Sequence, residues 1–268
     1  MITGVNDSNE KQSAESIALD AEQLTPNGVL PSHALELLQA ALAARLNVAI
    51  SGPEGSGKRE LLHSLVPHMA CDGQILAVQN PDEPLLERRG VTSLIAHPEA
   101  EDNCPRIGRH YLLTLVPKMH PTGLVLDRVA GAEAVPLLRL LLTMDGIVFS
   151  IAAESPQDVV DKLVDLDRIH GERQDSELAR RILSTALQLV VQLDTAPDGS
   201  SLVASLTEVA QAEDGRHVLR EIFVCGDLDS PGDGECGSRP TLRATGVKPL
   251  FLSRLEELGI PVPEHVFT

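Results

Sequence analysis

The sequence predicts an α/β fold with a mainly parallel sheet, and three observations point to it. Apolar runs of strand length recur at Leu46–Ile50, Gln74–Gln79, Gly123–Asp127 and Gly146–Ala152. Stretches with helical spacing separate them, which is the alternation that parallel βαβ units produce. The first run ends in a Gly/Pro turn and is followed at once by a helical pattern, so strand, glycine loop and helix N-terminus succeed one another within 20 or so residues.

The elements follow in order. Residues 1–24 are polar and acidic with weak periodicity around Ile17 and Leu19, and read as a flexible arm, a docking helix being the alternative. Ser32 is placed to cap a helix whose apolar face is Leu35, Leu38, Ala41, Leu42 and Leu46. After the loop, Glu60–Val66 has helical spacing and stops near Pro67. Residues 80–109 are rich in proline and charge and predict an exposed connection with a short strand at Thr92–Ala96. A helix over Tyr111–Val116 leads to the strand Gly123–Asp127, then a helix over Ala132–Leu142 and the strand Gly146–Ala152. Asp158–Leu166 reads as helix, and Ser176–Val191 as helix running into strand. Ser201–Ala212 and His217–Cys225 form a hairpin pattern with Asp214-Gly215 in the turn. Residues 226–240 are loop-like, and Pro249–Leu258 predicts an amphipathic helix. One main domain thus spans residues 25–268, its small C-terminal elements running from about residue 176 to 268.

Composition narrows the class of partner. The 268-residue chain is 43% hydrophobic but has no tryptophan and only 2% aromatic residues, so its core is aliphatic. Stacking platforms for single-stranded nucleic acid need aromatic faces, and a formal charge of −17 repels a phosphate backbone. Nucleic acid is therefore excluded as a partner, and basic protein surfaces are favoured. Cys71, Cys104, Cys225 and Cys236 are widely spaced with no C-x-x-C pair, which argues against zinc and for a reducing cytoplasm. No apolar run approaches the ~20 residues of a membrane span, and the N-terminus lacks the pattern of a signal peptide. The expectation is a cytoplasmic protein without direct membrane insertion.

The chemistry lies in Gly52-Pro53-Glu54-Gly55-Ser56-Gly57-Lys58-Arg59. A loop of form G-x-x-x-x-G-K-[ST] wraps backbone N–H groups around nucleotide phosphates, its lysine reaches the β- and γ-phosphates, and its hydroxyl ligates Mg²⁺. Gly52, Gly57 and Lys58 fill the first roles. Arg59 stands where the hydroxyl belongs, and a guanidinium cannot ligate a cation. The alternative is a glycine-rich turn with an incidental lysine. Asp127 closes an apolar strand, the place where a carboxylate beside a phosphate loop orients metal or water. The nine histidines, His63 among them, are scattered without metal spacing and read as surface or packing residues. The acidic run Asp227, Asp229, Asp233 and Glu235 lacks the spacing of a calcium loop and reads as solvated.

The order of motifs resembles the secretion and pilus-assembly ATPases of type II and type IV secretion, nearest the tight-adherence (Flp) branch, over roughly residues 25–268. Ala44–Gly52 resembles that family's strand into its loop. Asp127-Arg128-Val129-Ala130-Gly131-Ala132-Glu133-Ala134 resembles its Walker B segment, and Gly146–Pro156 its histidine box. Thr207-Glu208-Val209, Ile222-Phe223 and the stretch from Thr245-Gly246-Val247-Lys248-Pro249 to Phe267 resemble the tight-adherence C-terminus. The resemblance implies a RecA-like domain that binds ATP or ADP, assembles as a hexamer, works beside other subunits of a secretion or pilus machine, and sits at the inner membrane through them. The separate N-terminal domain of the family is expected to be missing.

Against that pattern the departures fall on chemistry. Arg59 replaces the metal-binding hydroxyl, Gln79 and Asn80 replace an acidic pair, Arg128 replaces the Walker B glutamate, Ala130 an arginine and Ala152 the box histidine; Glu83 and Asp127 are retained. Phosphoryl transfer relies on Mg²⁺ and on a carboxylate that orients water. One lost group of this kind costs about 10²–10³ in rate, and losses within one unit do not simply add. The expectation is a pseudo-ATPase with Mg²⁺ in doubt, acting as a regulatory or structural subunit; the alternatives are an active hexameric ATPase and a nucleotide sensor. For the two arginines several readings stand open. Either replaces the charge of the metal, Arg128 pairs with Asp127, Arg59 folds onto Glu54, or a partner's acidic side chain fills the pocket. Arg106 and Arg109 match the family's trans-acting arginines only loosely and also read as a solvated basic turn.

Overall fold

The structure is a computed structural model and describes residues 30–69, 73–84, 86, 88–97, 106–171, 176–196, 199–212, 217–226 and 241–267. The expected N-terminal arm, Cys71, Cys104, Cys236, the Asp214-Gly215 turn and the acidic run from Asp227 to Glu235 lie outside these residues. Helix α1 (Ser32–Ala43) precedes β1 (Val48–Gly52), the glycine loop and α2 (Lys58–Leu65). Then come β2 (Ile75–Gln79), β3 (Val91–Ile95), α3 (Arg109–Met119), β4 (Gly123–Val129), α4 (Ala134–Leu141) and β5 (Ile147–Ala152). Helices α5 (Pro156–His170) and α6 (Ser176–Ala186) lead to β6 (Leu189–Thr195), β7 (Ser201–Gln211), β8 (His217–Cys225), β9 (Leu242–Ala244) and α7 (Leu252–Glu257).

One nine-stranded sheet carries the fold, in the order β3-β2-β4-β5-β1-β6-β7-β8-β9. The strands from β3 to β6 pair in parallel, and β7, β8 and β9 extend the same sheet antiparallel. Mixed α/β architecture with a mostly parallel sheet is what the alternation of runs predicted. Because successive strand residues face opposite sides, Val48 and Ile50 enter one apolar core while Ala49 enters the other. Helices α1, α2 and α7 cover the first face, and α3 to α6 cover the second. Both faces of the central strands are dry, which explains their near-continuous apolar runs.

Buried polar groups fix the strand ends. Asn47 is 1% exposed: its Nδ2 donates to the Ala186 carbonyl at 2.7 Å, and its Oδ1 accepts from the Ile147 amide at 2.8 Å. One side chain therefore ties the approach to β1 to the start of β5 and to the end of α6, just before β6. Glu208, 2% exposed on β7, accepts from the amides of Leu250 (2.7 Å) and Phe251 (3.1 Å) and pairs with Arg220 Nη1 at 2.7 Å. That carboxylate pins the approach to α7 against the sheet.

Several boundaries differ from expectation for physical reasons. Ser32 is the first residue inside α1 rather than its cap; Pro31 holds the cap position without a side-chain bond, and Leu46 lies beyond the helix. Helix α3 starts two residues before Tyr111, runs three residues past Val116 and contains Pro117. Strand β4 continues past Asp127 to Val129 through a bulge. Strand β9 was not expected at all: its three residues are too few to show a period.

Candidate functional site

The carboxyl ends of β1, β4 and β5 meet at the glycine loop, the crevice in which open α/β sheets place ligands. Gly52 ends β1, and a Cβ there would stand 2.5 Å from Ser56 Oγ and 2.7 Å from the Leu193 carbonyl. Gly57 takes φ 85° at the entrance to α2, and a Cβ would stand 2.7 Å from Ser201 Oγ. Only glycine fits either position. Ser56 is fully buried and donates to the Pro53 carbonyl at 2.8 Å, which braces the loop from inside. Lys58 curls back over it, its Nζ donating to the carbonyls of Gly52 (2.9 Å) and Pro53 (2.5 Å). Burial lowers the Lys58 ammonium below its ordinary pKa, against the opposing pull of Asp127 and Glu54.

Arg59 turns inward across the end of the sheet. Its Nε donates to Asp127 Oδ2 at 2.6 Å, and Ser150 Oγ donates to the other carboxylate oxygen. Strand β5 lies between β1 and β4, so Ser150 is the residue through which the Asp127 carboxylate is held from the intervening strand. Burial alone would raise the Asp127 pKa; the bonds from Ser150 and Arg59 outweigh it and hold the group below the usual carboxylate range. His63, on α2 one turn after Arg59, is 7% exposed, and burial lowers its pKa. It is a packing histidine beside the pair, as one of its two expected roles had it.

Arg128 sits on the β4 bulge with φ 51°, a left-handed conformation unusual for a residue with a Cβ. Its amide donates to Ser150 Oγ at 2.8 Å, while its side chain is exposed and forms no ion pair with a described residue. The expected Arg128–Asp127 and Arg59–Glu54 pairs are therefore both replaced by one Arg59–Asp127 pair. An open cleft of about 340 Å³ results, lined by Glu54, Gly55, Gly57, Lys58, Arg59, Glu60, Asp127, Arg128, Ser150 and Ala152. Pro53 takes part through its carbonyl, and Gly52 and Ser56 shape the loop from beneath.

The remaining candidates form a supporting layer. Gln79 Nε2 donates to the Pro84 carbonyl at 2.8 Å and its Oε1 accepts from Leu86, so this side chain folds the turn after β2. Glu83, 5% exposed, accepts from the Asn80 amide and from Asn80 Nδ2, both at 3.0 Å. Arg109 is no solvated turn residue. Its guanidinium donates to the Asp127 carbonyl (2.5 Å), the Arg128 carbonyl (2.8 Å) and Glu133 Oε1 (2.6 Å), with Glu83 at 3.8 Å. Glu133 also accepts from the Ala130 amide at 3.0 Å. Arg109 thus clamps the bulge that presents Arg128, within its own chain. Sequence reading missed Ser150 as a partner of Asp127; a hydroxyl inside an otherwise apolar strand was the available signal.

These donors do not suit the hard cation that the loop type implies. Mg²⁺ takes oxygen ligands, yet position 59 presents a guanidinium and both oxygens of Asp127 are already bonded. Among the described residues no group of three or more His, Cys, Asp or Glu could hold a metal ion. For an anion the arrangement is better: the first amides of α2 have no intrahelical partner, and three cationic side chains border them.

Two proteins of Mycobacterium tuberculosis that carry a conjugal-transfer name, from strains CDC 1551 / Oshkosh and ATCC 25618 / H37Rv, are each 25% identical over 195 residues, covering 72% of this chain and 55% of each relative. The chain spans about half the length of the curated relatives it matches. Among solved structures, the VirB11 ATPase from the Brucella suis type IV secretion system, in complex with sulphate, aligns with TM-score 0.57 and 18% identity, over 77% of this chain and 60% of that one. The Yersinia pseudotuberculosis ATPase DotB aligns with TM-score 0.51 and 14% identity, over 72% and 49%. The fold is that of these secretion ATPases. No protein-family model matches the chain. Among the described residues no helix is long and apolar enough to cross a membrane.

Proposed function

We propose that this chain is an ATPase-like subunit of a type IV secretion, pilus or conjugation machine that keeps a nucleotide site and has given up efficient hydrolysis. The observation that carries the reading is the Arg59–Asp127 pair: the carboxylate best placed to organise metal and water is bonded to the residue that replaced the metal's own ligand. Arg128 at the bulge and Ala152 at the end of β5 remove two further groups that a hydrolytic site of this fold would use to orient water. The resemblance of the C-terminal segments points to the tight-adherence branch, ATP or ADP as ligand, a hexameric or mixed ring as assembly, and other subunits of the machine as partners at the inner membrane. Thr207-Glu208-Val209 takes part in that resemblance, and in this chain Glu208 has a packing task that hydrolysis does not require.

The competing reading, an active hexameric ATPase, draws on the retained Asp127 and on Glu83, which lies close enough to act on the charge of Arg59. Steady-state phosphate release from ATP and Mg²⁺ separates the two. The proposal expects the full chain to release phosphate at the background rate of its Lys58→Ala variant. A Mg²⁺-dependent rate that collapses in Lys58→Ala would establish a motor instead.

A further inference from the structure

We propose that the cleft binds a nucleoside polyphosphate without a divalent cation, with the Arg59 guanidinium, anchored on Asp127, in the position of the metal. This rests on the reading of the glycine loop as a nucleotide site and specifies the chemical form that the site takes. In an ordinary site of this kind a carboxylate on a nearby strand of the sheet holds Mg²⁺, and the metal holds the phosphates. Here the same carboxylate holds a guanidinium. Ser150 fixes Asp127, Asp127 fixes Arg59 through Nε, and the two Nη groups make no bond to any described residue. Four N–H donors on a delocalised cation are thereby positioned at the cleft, with the fork geometry that phosphate oxygens accept.

A second cation is built in separately. Arg128 is carried on a bulge in a left-handed conformation, its side chain exposed to the cleft and unpaired among the described residues. Arg109, itself clamped between Glu133 and the Asp127 and Arg128 carbonyls, keeps that bulge in place. A left-handed arginine is strained, and strain of this kind persists where a site requires it. Lys58 supplies the third cation and now spends its donors on two neutral carbonyls, which charged phosphate oxygens would replace.

Charge sets the sign of the metal effect. Asp127 is neutralised by Arg59, while Glu54 and Glu60 lie exposed at the rim, where solvent screens them. The interior of the cleft is therefore cationic and complementary to a metal-free phosphate chain. A nucleotide already carrying Mg²⁺ brings fewer free oxygens and a second positive centre toward two guanidinium groups. Magnesium should leave binding unchanged or weaken it, the reverse of its effect at a loop that ends in serine or threonine.

Calorimetric titration of the full chain with ATP, in EDTA and in excess Mg²⁺, tests this. The expected result is binding in EDTA at least as tight as in Mg²⁺, weakened about tenfold or more by Arg59→Thr and by Arg128→Gln, since each charge-assisted bond is worth roughly 1.5–3 kcal/mol. Arg128 is exposed and forms no ion pair with a described residue, so its variant keeps the test decisive should Arg59→Thr fail to fold. Binding that appears only with Mg²⁺, or binding in EDTA that ignores both substitutions, overturns the inference. Absence of binding in either buffer overturns it together with the nucleotide site of the proposed function, and leaves only its non-hydrolytic part, as a scaffold. Turnover that depends on Mg²⁺ and Lys58 would instead remove the functional reading beneath it.

Discussion

An arginine directly after the loop lysine can reach out to solvent or back across the sheet, and Arg59 goes back. Its side chain is 25% exposed and Asp127 only 8%, so the pair lies between a surface bridge, worth little, and a buried one whose breakage costs about 3–5 kcal/mol. Replacing Arg59 with alanine leaves Asp127 with Ser150 alone, and a loss of about 1–2 kcal/mol is expected by denaturant unfolding. The pH dependence has a definite sign. The folded pKa of Asp127 is depressed, so the pair's contribution is complete above the unfolded carboxylate value of about 3.9 and fades as pH falls through the lower folded value. The stability difference between wild type and Arg59→Ala should hold from neutral pH down to about 5 and narrow below 4. A difference that grows toward acid would show that Asp127 is not held by this guanidinium. None of this was readable in advance. Arg59 and Asp127 are 68 residues apart, and the sequence offered both Asp127–Arg128 and Arg59–Glu54 as equally plausible local pairs.

Elements were more legible than contacts, because hydrophobic period is a local signal. The runs that became β1, β2, β4 and β5 are buried on both faces and announce themselves as continuous apolar stretches. What escaped was set by tertiary partners: Pro117 tolerated in the last turn of α3, and the bulge in β4 that only the register with β5 reveals. Glu208 illustrates the same limit. It stood out as part of a matching triplet, yet its work is to accept two amides 42 and 43 residues away and to pair with Arg220. Glu208→Ala would strand those amides and a half-buried guanidinium, a cost of about 3 kcal/mol. Hydrogen exchange should accelerate at the Leu250 and Phe251 amides while the amides of β1 keep their protection. Unchanged exchange at residues 250 and 251 would mean that the C-terminal segment is held by its apolar contacts alone.

At the scale of the whole molecule, the fold retains what the sheet and the loop require, and the proposed function rests on the altered positions around them. Gly52 and Gly57 fit positions no other residue could take, and Ser56 still braces the loop, so the cradle is intact. Around it, Gln79, Asn80 and Glu83 are absorbed into the turn after β2, and Arg109 into the support of the bulge. The sequence made the cradle and the altered positions visible; the pairing of Asp127 with Arg59 came only from side-chain geometry. A site of this form should hold ATP and leave it whole.

The most direct test places the full chain in excess over ATP labelled on the γ-phosphate and asks what the label has become after prolonged incubation, in Mg²⁺ and in EDTA. Intact, protein-bound ATP is expected under both conditions. Label released as inorganic phosphate in Mg²⁺, and not released by Lys58→Ala, would contradict it.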